Sequence, residues 1–253
     1  MNYKQFEDIL FAEWRKRSVA NGDGNELASD GLLYRGRFVY NDGYWSREPG
    51  NEDVIWERAK RRVLILTKDL NDEEAWDIRA ETGRNNFSGE NNVVVSAPFY
   101  KNLMRWVYGL LTIDANGHAK SFAEIDSQDV YQPFYDQAPV ARVNCKKQVG
   151  KSSIETSVLK SYMERYKDLL VKQIAAYDAN ILLCCGASGA IKDFVAEHYL
   201  TDLVKLNNWV YYSPQTHKMV IDSWHPTYTG DTHEKMYSDM MKAIHEVWDR
   251  MKI

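Results

Sequence analysis

Four short apolar runs stand out in this sequence, and each ends abruptly at residues that can carry out chemistry. The runs span residues 62–67, 139–143, 180–185 and 218–224. Each has the length and composition of a buried β-strand, and most of the segments between them show the apolar spacing that is typical of helices. Strands that alternate with helices indicate parallel pairing. The sequence therefore predicts an α/β protein with a parallel core sheet.

Polar residues follow three of these runs at the point where a strand would end. Asp69 follows the first run, Asn144 the second and His225 the fourth. Ligands of open α/β sheets bind just beyond the carboxyl ends of the strands, so neighbouring strands would bring these side chains to one crevice. A carboxylate can activate water, an amide can bond a ring edge, and an imidazole can stabilise a developing charge. The combination favours hydrolysis at a nucleoside or a similar heterocycle.

The composition limits the classes of protein to consider. The chain has 253 residues and a net charge of −4. This balance argues against a general high-affinity nucleic-acid binder, which carries a basic footprint, although a local basic patch is still compatible with it. The N-terminal residues lack the apolar core of a signal peptide, and no apolar run approaches the roughly 18 residues that span a bilayer. We expect a cytoplasmic monomer without a membrane contact.

The three cysteines give no sign of a metal centre. Cys145, Cys184 and Cys185 contain no CxxC spacing, and the last two lie inside an apolar run, as buried small side chains do. The histidines show no ligand spacing with acidic residues or cysteines. We therefore expect no iron–sulfur cluster, no zinc and no other cofactor.

Local patterns predict the remaining elements. Helices are expected over residues 3–19, 52–61, 99–111, 152–177, 187–199 and 233–252. Hairpins are expected around residues 41–43 and 214–215. Residues 113–138 show no regular pattern. The polar segment 70–92 directly follows a strand, and long loops in that position often carry active-site residues.

The polar motifs allow more than one interpretation when each is taken alone. Asp69 begins an acidic stretch that either positions a water or simply starts a helix. Lys146, Lys147 and Lys151 either contact phosphates or form a solvated basic turn. The sequence around Lys151 ends like a phosphate-binding P-loop but has Cys145 where that motif requires Gly.

Taken together, these segments resemble the uracil-DNA glycosylase superfamily from about residue 60 to about residue 230. The resemblance lies in an apolar strand that runs into Asp, a Pro-initiated helix, a strand that ends in Asn before a basic loop, and a closing His-Pro motif. The corresponding residues are 63–71, 97–103, 142–151 and 224–227.

The resemblance implies a three-layer α/β/α fold with a central, mainly parallel four-stranded sheet of the uracil-DNA glycosylase type. Residues 1–60 would be an N-terminal helix and hairpin extension of a single domain, residues 61–230 its core, and residues 231–253 a C-terminal helix. The implied activity belongs to DNA repair: hydrolysis of the N-glycosidic bond of a deaminated or damaged base flipped out of single-stranded or duplex DNA.

The resemblance also implies roles for individual residues. The catalytic residues would be Asp69, which activates water, and His225, which stabilises the departing base. The base-binding residues would be Asn144, Phe99, Tyr100 and Asn71. The phosphate-binding residues would be Lys68, Lys146, Lys147, Lys151, Ser188, Thr227 and Tyr228.

Departures from the family pattern leave two alternatives open. Thr67, Leu70 and Asn71 stand where the family has Gly, Pro and Tyr, and no Leu wedge follows Thr227. The chain also lacks the fourth Cys of the iron–sulfur branch. One alternative is a catalytically silent relative that binds nucleic acid or a nucleotide. The other is an unrelated α/β hydrolase or transferase that acts on a small acidic metabolite.

Overall fold

The structure is a computed structural model that describes residues 1–41, 44–72, 74–80, 97–150 and 153–253. The α-helices of this part of the chain are α1 Tyr3–Ala20, α2 Glu52–Arg58, α3 Pro98–Thr112, α4 Phe122–Ile125, α5 Gln128–Tyr135, α6 Thr156–Arg165, α7 Lys167–Tyr177, α8 Ala190–His198 and α9 His233–His245. Short 3₁₀ turns cover Ile78–Ala80, Ala187–Gly189 and Trp248–Arg250.

The strands are short, as is usual for a sheet that is covered on both faces. They are β1 Gly31–Leu32, β2 Phe38–Asn41, β3 Tyr44–Arg47, β4 Val63–Thr67, β5 Leu70–Asn71, β6 Val140–Asn144, β7 Val149–Gly150, β8 Ile181–Cys185, β9 Val204–Lys205, β10 Val210–Ser213 and β11 Lys218–Ser223. Strands β2 and β3 form a separate hairpin, and β5 pairs with β7.

One mixed sheet of seven strands forms the centre of the fold, in the order β1-β6-β4-β8-β11-β10-β9. The four predicted apolar runs form its four adjacent parallel strands, β6, β4, β8 and β11. The sheet is larger than the four strands that the sequence predicts. Strand β1 extends one edge, β10 and β9 extend the other, and each of these three strands pairs antiparallel. These additions are short, and the two-residue strands β1 and β9 carry no recognisable alternation.

Helices cover both faces of the sheet, which explains why its parallel strands are continuously apolar. Successive side chains of a strand point to opposite faces. Ile65 of β4 therefore packs with α3, α5 and α9, whereas Leu64 and Leu66 pack with α1, α6, α7 and α8. All five residues of β4, β6 and β8 are buried.

The first 60 residues are built into this core. Trp14 of α1 is fully buried against the helices of one face, and β1 pairs with β6. Trp56 of α2 is also fully buried and donates from its indole nitrogen to the Tyr177 carbonyl at 3.0 Å. The segment thus contributes both a helix layer and a sheet edge.

Most predicted elements have structural counterparts, with three differences. The helix expected over 152–177 is divided into α6 and α7 at Tyr166, whose backbone leaves the helical region (φ −114°, ψ 19°). The segment 113–138, expected to be irregular, contains the short helices α4 and α5, and α5 includes Pro133. The last helix ends at His245 and is followed by a 3₁₀ turn. Residues 42–43 and 81–92 of the expected hairpin and loop lie outside the described residues.

Within the described part of the chain, we find no helix with both the length and the apolar character that crossing a membrane requires.

Candidate active site

The carboxyl edge of the parallel strands gathers the polar residues that follow the apolar runs. Asn144 is the last residue of β6, Asp69 lies two residues beyond β4, and His225 lies two residues beyond β11. Because these strands are parallel, all three residues lie at the same edge of the sheet. Ser188 follows β8 at this edge, in a left-handed backbone conformation (φ 50°).

Asn144 is fully buried at the end of β6. Its backbone N–H donates to Asp30 Oδ2 at 2.8 Å, and its Oδ1 accepts a hydrogen bond from the Thr67 hydroxyl of the neighbouring strand. Its Nδ2 group has no hydrogen-bond partner among the described residues. A buried donor without a partner is costly. The hydrogen-bonding group of Asn144 that is left without a partner among the described residues is therefore a donor, its Nδ2 amide.

His225 is held in one tautomer by the two residues that follow it. The backbone N–H of Thr227 donates to Nδ1 at 3.3 Å, and the Thr227 hydroxyl lies 2.7 Å from the same nitrogen. A backbone N–H can only donate, so Nδ1 is unprotonated and the proton of the neutral ring is on Nε2. Burial, aided by the positive charges of Lys68 and Arg142, lowers the pKa of His225 to about 4. The ring is therefore a neutral Nε2–H donor at physiological pH.

We predict that His225 stays neutral from pH 8 down to about pH 5 and titrates near pH 4. Ring nitrogen chemical shifts measured by NMR across this range would report both the tautomer and the pKa. Lys68→Met should raise this pKa, because it removes a positive charge that opposes protonation. Titration of the wild-type ring near its ordinary value of 6.5 would contradict the geometry described above.

Aromatic side chains and a positively charged side chain lie beside His225. The Phe99 ring centroid at the start of α3 is 5.7 Å from that of His225, and Tyr100 contacts Phe99 edge-on at 5.2 Å. The Arg142 guanidinium lies 4.5 Å from the Phe99 centroid. Arg142 is two residues before Asn144, so the two side chains share a face of β6.

Two residues of the site were missed in the sequence. Arg142 is buried in the middle of an apolar strand, and that unusual position is a signal that could have marked it. Asn102 is also buried, and its Nδ2 donates to the Pro226 carbonyl at 2.6 Å, which ties α3 to the loop that carries His225. This second contact joins residues that are far apart in sequence and has no local signal.

Asp69 is more enclosed than a freely reacting carboxylate. Its side chain is 1% exposed, and Lys146 Nζ lies 3.5 Å from Oδ2. Its Oδ1 has no partner among the described residues. Burial raises the pKa of the Asp69 carboxyl, against the opposing charges of Lys146 and Lys68.

The cover over Asp69 is formed by the pairing of β5 with β7. Asn71 of β5 lies opposite Gly150 of β7, which joins the loops that follow β4 and β6. A Cβ atom at Gly150 would lie 1.9 Å from Asp69 Oδ2, so this close approach requires glycine. Asn71 itself is exposed.

The predicted basic residues differ sharply in their surroundings. Lys68 is half-buried, and its charge acts on both Asp69 and His225. Lys146 donates from Nζ to the carbonyls of Gln148 and Val149, each at 3.0 Å, so it holds its own loop together. Lys151 lies outside the described residues.

The position of Lys147 differs from the prediction that this residue contacts phosphate. It is fully buried, and its Nζ donates to both Asp30 oxygens at 2.7 Å and to Gln173 Oε1 at 2.8 Å. The ammonium group also lies 4.8 Å from the Trp14 ring centroid. Lys147 therefore faces the core, whereas Lys146 faces its own loop.

The remaining predicted phosphate contacts lie at the surface beside His225. Ser188 and Thr227 are exposed, and Thr227 is engaged by the imidazole. Tyr228 is 43% exposed and lies nearly parallel to the Trp224 ring at 6.1 Å. The edge thus holds two groups, one around Asp69 and Asn144 and one around His225. The charge of the half-buried Lys68 acts on both Asp69 and His225, and the charge of the buried Arg142 acts on His225.

No group of three or more His, Cys, Asp or Glu residues in the described ranges is arranged to hold a metal ion. Burial raises the pKa of the Cys145, Cys184 and Cys185 thiols, which are uncharged and enclosed in the core. Compared with known proteins, the sequence matches no protein-family model and no curated protein.

Proposed function

We propose that this protein is a divergent member of the uracil-DNA glycosylase type, which hydrolyses the N-glycosidic bond of a deaminated base in DNA. Two hydrogen-bond donors at the carboxyl edge carry the proposal: the unpaired Nδ2 of Asn144 and the Nε2–H of a neutral His225. DNA is the proposed partner, in single-stranded or duplex form, and the active species is a cytoplasmic monomer.

The strand order supports a ligand at this position. Among the parallel strands, the second in sequence (β6) and the third (β8) lie on opposite sides of the first (β4), and the fourth (β11) lies beyond β8. The chain therefore reverses its direction of travel across the sheet at β4. In open α/β sheets, the crevice at such a switch point is where ligands bind.

Two donors favour bases that carry carbonyl oxygens. Deamination replaces an exocyclic amino group, which donates, by a carbonyl oxygen, which accepts, as in uracil, hypoxanthine and xanthine. A site built to donate leaves its buried donors unpaired when the amino base enters, and such mismatches discriminate strongly. The Phe99 ring offers a surface for base stacking next to His225.

The positive charges around His225 suit the departure of the base as an anion. Burial is the main cause of the lowered pKa of His225, and the positive charges of Lys68 and Arg142 lower it further. The same field would stabilise negative charge that develops on a carbonyl oxygen or a ring nitrogen of the leaving base. His225 would donate its Nε2–H to that charge without becoming an imidazolium first.

Asp69 would activate water and stabilise the positive charge that develops on the sugar. In the present arrangement its carboxylate is covered by Gly150 and Lys146. For catalysis, the paired loops of β5 and β7 must move apart enough to admit water to its Oδ1. This enclosure is the observation that favours the second candidate, a nucleic-acid-binding relative that has the crevice but does not turn over substrate.

Base release from a panel of oligonucleotides tests the proposal. Single-stranded and duplex oligonucleotides would carry uracil, hypoxanthine or xanthine, with cytosine, adenine and guanine as the matched amino-bearing controls. We expect release of at least one keto base and no release of its amino partner. Binding of the oligonucleotides without release of any base would favour the silent relative, and absence of both binding and release would reject the proposal.

A further inference from the structure

A cavity lies between α6 and the loop that follows β6. Its volume is about 480 Å³, and none of Asn144, His225 and Phe99 lines it. Its polar lining includes the side chains of Asp23, Lys146, Ser157, Ser161, Tyr162 and Arg165. A cavity of this size can hold a small ligand, since ligand pockets usually measure about 300–1,000 Å³.

Tyr162 contributes a hydroxyl whose proton has no acceptor. The side chain is 6% exposed, and its oxygen accepts from the Trp14 indole nitrogen at 3.0 Å and from the Lys147 backbone nitrogen at 3.4 Å. Both of these groups can only donate, so the Tyr162 proton must point elsewhere. No described residue accepts it, and the residue lines the cavity.

Other donors face the same space. Arg165 uses Nη1 to contact both Asp23 oxygens at 2.8 Å, whereas its Nε and Nη2 groups form no hydrogen bond within the described residues. Ser157 and Ser161 are one helical turn apart, so their hydroxyls lie on the same face of α6. Asp23, the acidic group of the lining, is occupied by Arg165 and by the Tyr166 hydroxyl at 2.6 Å.

The Oε1 of Gln148 is an acceptor of this lining that has no partner among the described residues, and the donor groups of Tyr162, Arg165, Ser157 and Ser161 outnumber it. Arg165 pairs with the carboxylate of Asp23, and Lys146 adds a second positive charge to the lining, which it shares with Asp69 at 3.5 Å. Such a lining complements a ligand that is rich in acceptors and negatively charged. A phosphate group, with three terminal oxygens, can use more of the available donors than a carboxylate can.

We propose that this cavity binds a small phosphate monoester, with its phosphate group held by Arg165, Tyr162 and the hydroxyls of Ser157 and Ser161. The site is separate from the crevice of Asn144 and His225, and its occupation does not depend on base excision.

Titration calorimetry with inorganic phosphate, adenosine monophosphate and adenosine tests this site on the 253-residue chain. We expect saturable binding of phosphate and of the monophosphate at millimolar concentration or below, and no binding of adenosine, which lacks the phosphate group. Absence of binding by both phosphate-containing probes, or equal binding of adenosine and its monophosphate, would overturn the proposal.

Variants connect the binding to the cavity. Arg165→Met should weaken phosphate binding at least about tenfold, as expected when a charge-assisted contact is lost. Tyr162→Phe should also weaken it while keeping the ring, with thermal unfolding to check that the variant is folded. Lys160→Met, an exposed lysine of the same helix outside the cavity, is the matched control and should bind as the wild type does. Equal binding by Arg165→Met and Lys160→Met would show that phosphate binds elsewhere.

Discussion

Lys147→Met is expected to lower the free energy of unfolding by about 3–5 kcal/mol, the usual cost of breaking a buried ion pair by removing one partner. The variant keeps most of the side-chain volume but leaves the Asp30 carboxylate buried without its counter-charge. Burial lowers the pKa of Lys147, while the attraction of Asp30 opposes this effect. Urea denaturation of the wild type and the variant would measure the difference.

Two further variants make this test specific. Lys160→Met removes an exposed lysine and should change stability by less than about 0.5 kcal/mol. Asp30→Asn combined with Lys147→Met should recover part of the loss, because no full charge then remains unpaired. A loss below about 1 kcal/mol in Lys147→Met would mean that the pair does not have the burial described here.

The ion pair of Lys147 and Asp30 also contacts a residue of the candidate site. Asp30 Oδ2 accepts from both Lys147 Nζ and the backbone N–H of Asn144. The N-terminal segment that carries Asp30 therefore fixes the end of β6, where Asn144 lies. A segment that the sequence suggested to be an extension is part of the support for the site.

The parallel strands could be predicted because each is a continuous apolar run. Strands β4, β6 and β8 are buried on both faces, so their sequences need no alternation and stand out against the amphipathic helices around them. The polar residue at the end of each run then marks the carboxyl edge. This is why Asp69, Asn144 and His225 could be placed from the sequence.

The role of Lys147 could not be predicted, because its partners are remote. Lys146 and Lys147 are adjacent and chemically identical, yet one binds loop carbonyls and the other lies in the core. Asp30 is 117 residues from Lys147, and the short strand β1 beside it has no pattern of its own. Only the three-dimensional arrangement separates a solvated lysine from a buried one.

The enclosure of Asp69 could not be predicted from the sequence either. It depends on two-residue strands, β5 and β7, and on the absence of a side chain at Gly150. The sequence placed Gly150 in a phosphate-loop-like motif that it does not complete. Its structural role is to allow the close approach of the two loops.

Asp69→Asn should reduce base release by about 10²–10⁴-fold, the range that is typical of a general base. The substitution keeps the shape of the side chain and removes its charge. A carboxylate that acts on the water and on the developing sugar cation stabilises the transition state more than the bound substrate, so DNA binding should be largely retained. Lys160→Met serves as the matched surface control.

The single-turnover rate of base release, with enzyme in excess over the best oligonucleotide of the panel, tests the central claim most directly. We predict a measurable rate for the wild type and for Lys160→Met, and a rate at least about 100-fold lower for Asp69→Asn at equal DNA occupancy. Equal rates for the wild type and Asp69→Asn, or no release by the wild type from any uracil, hypoxanthine or xanthine oligonucleotide, would contradict the proposed hydrolysis.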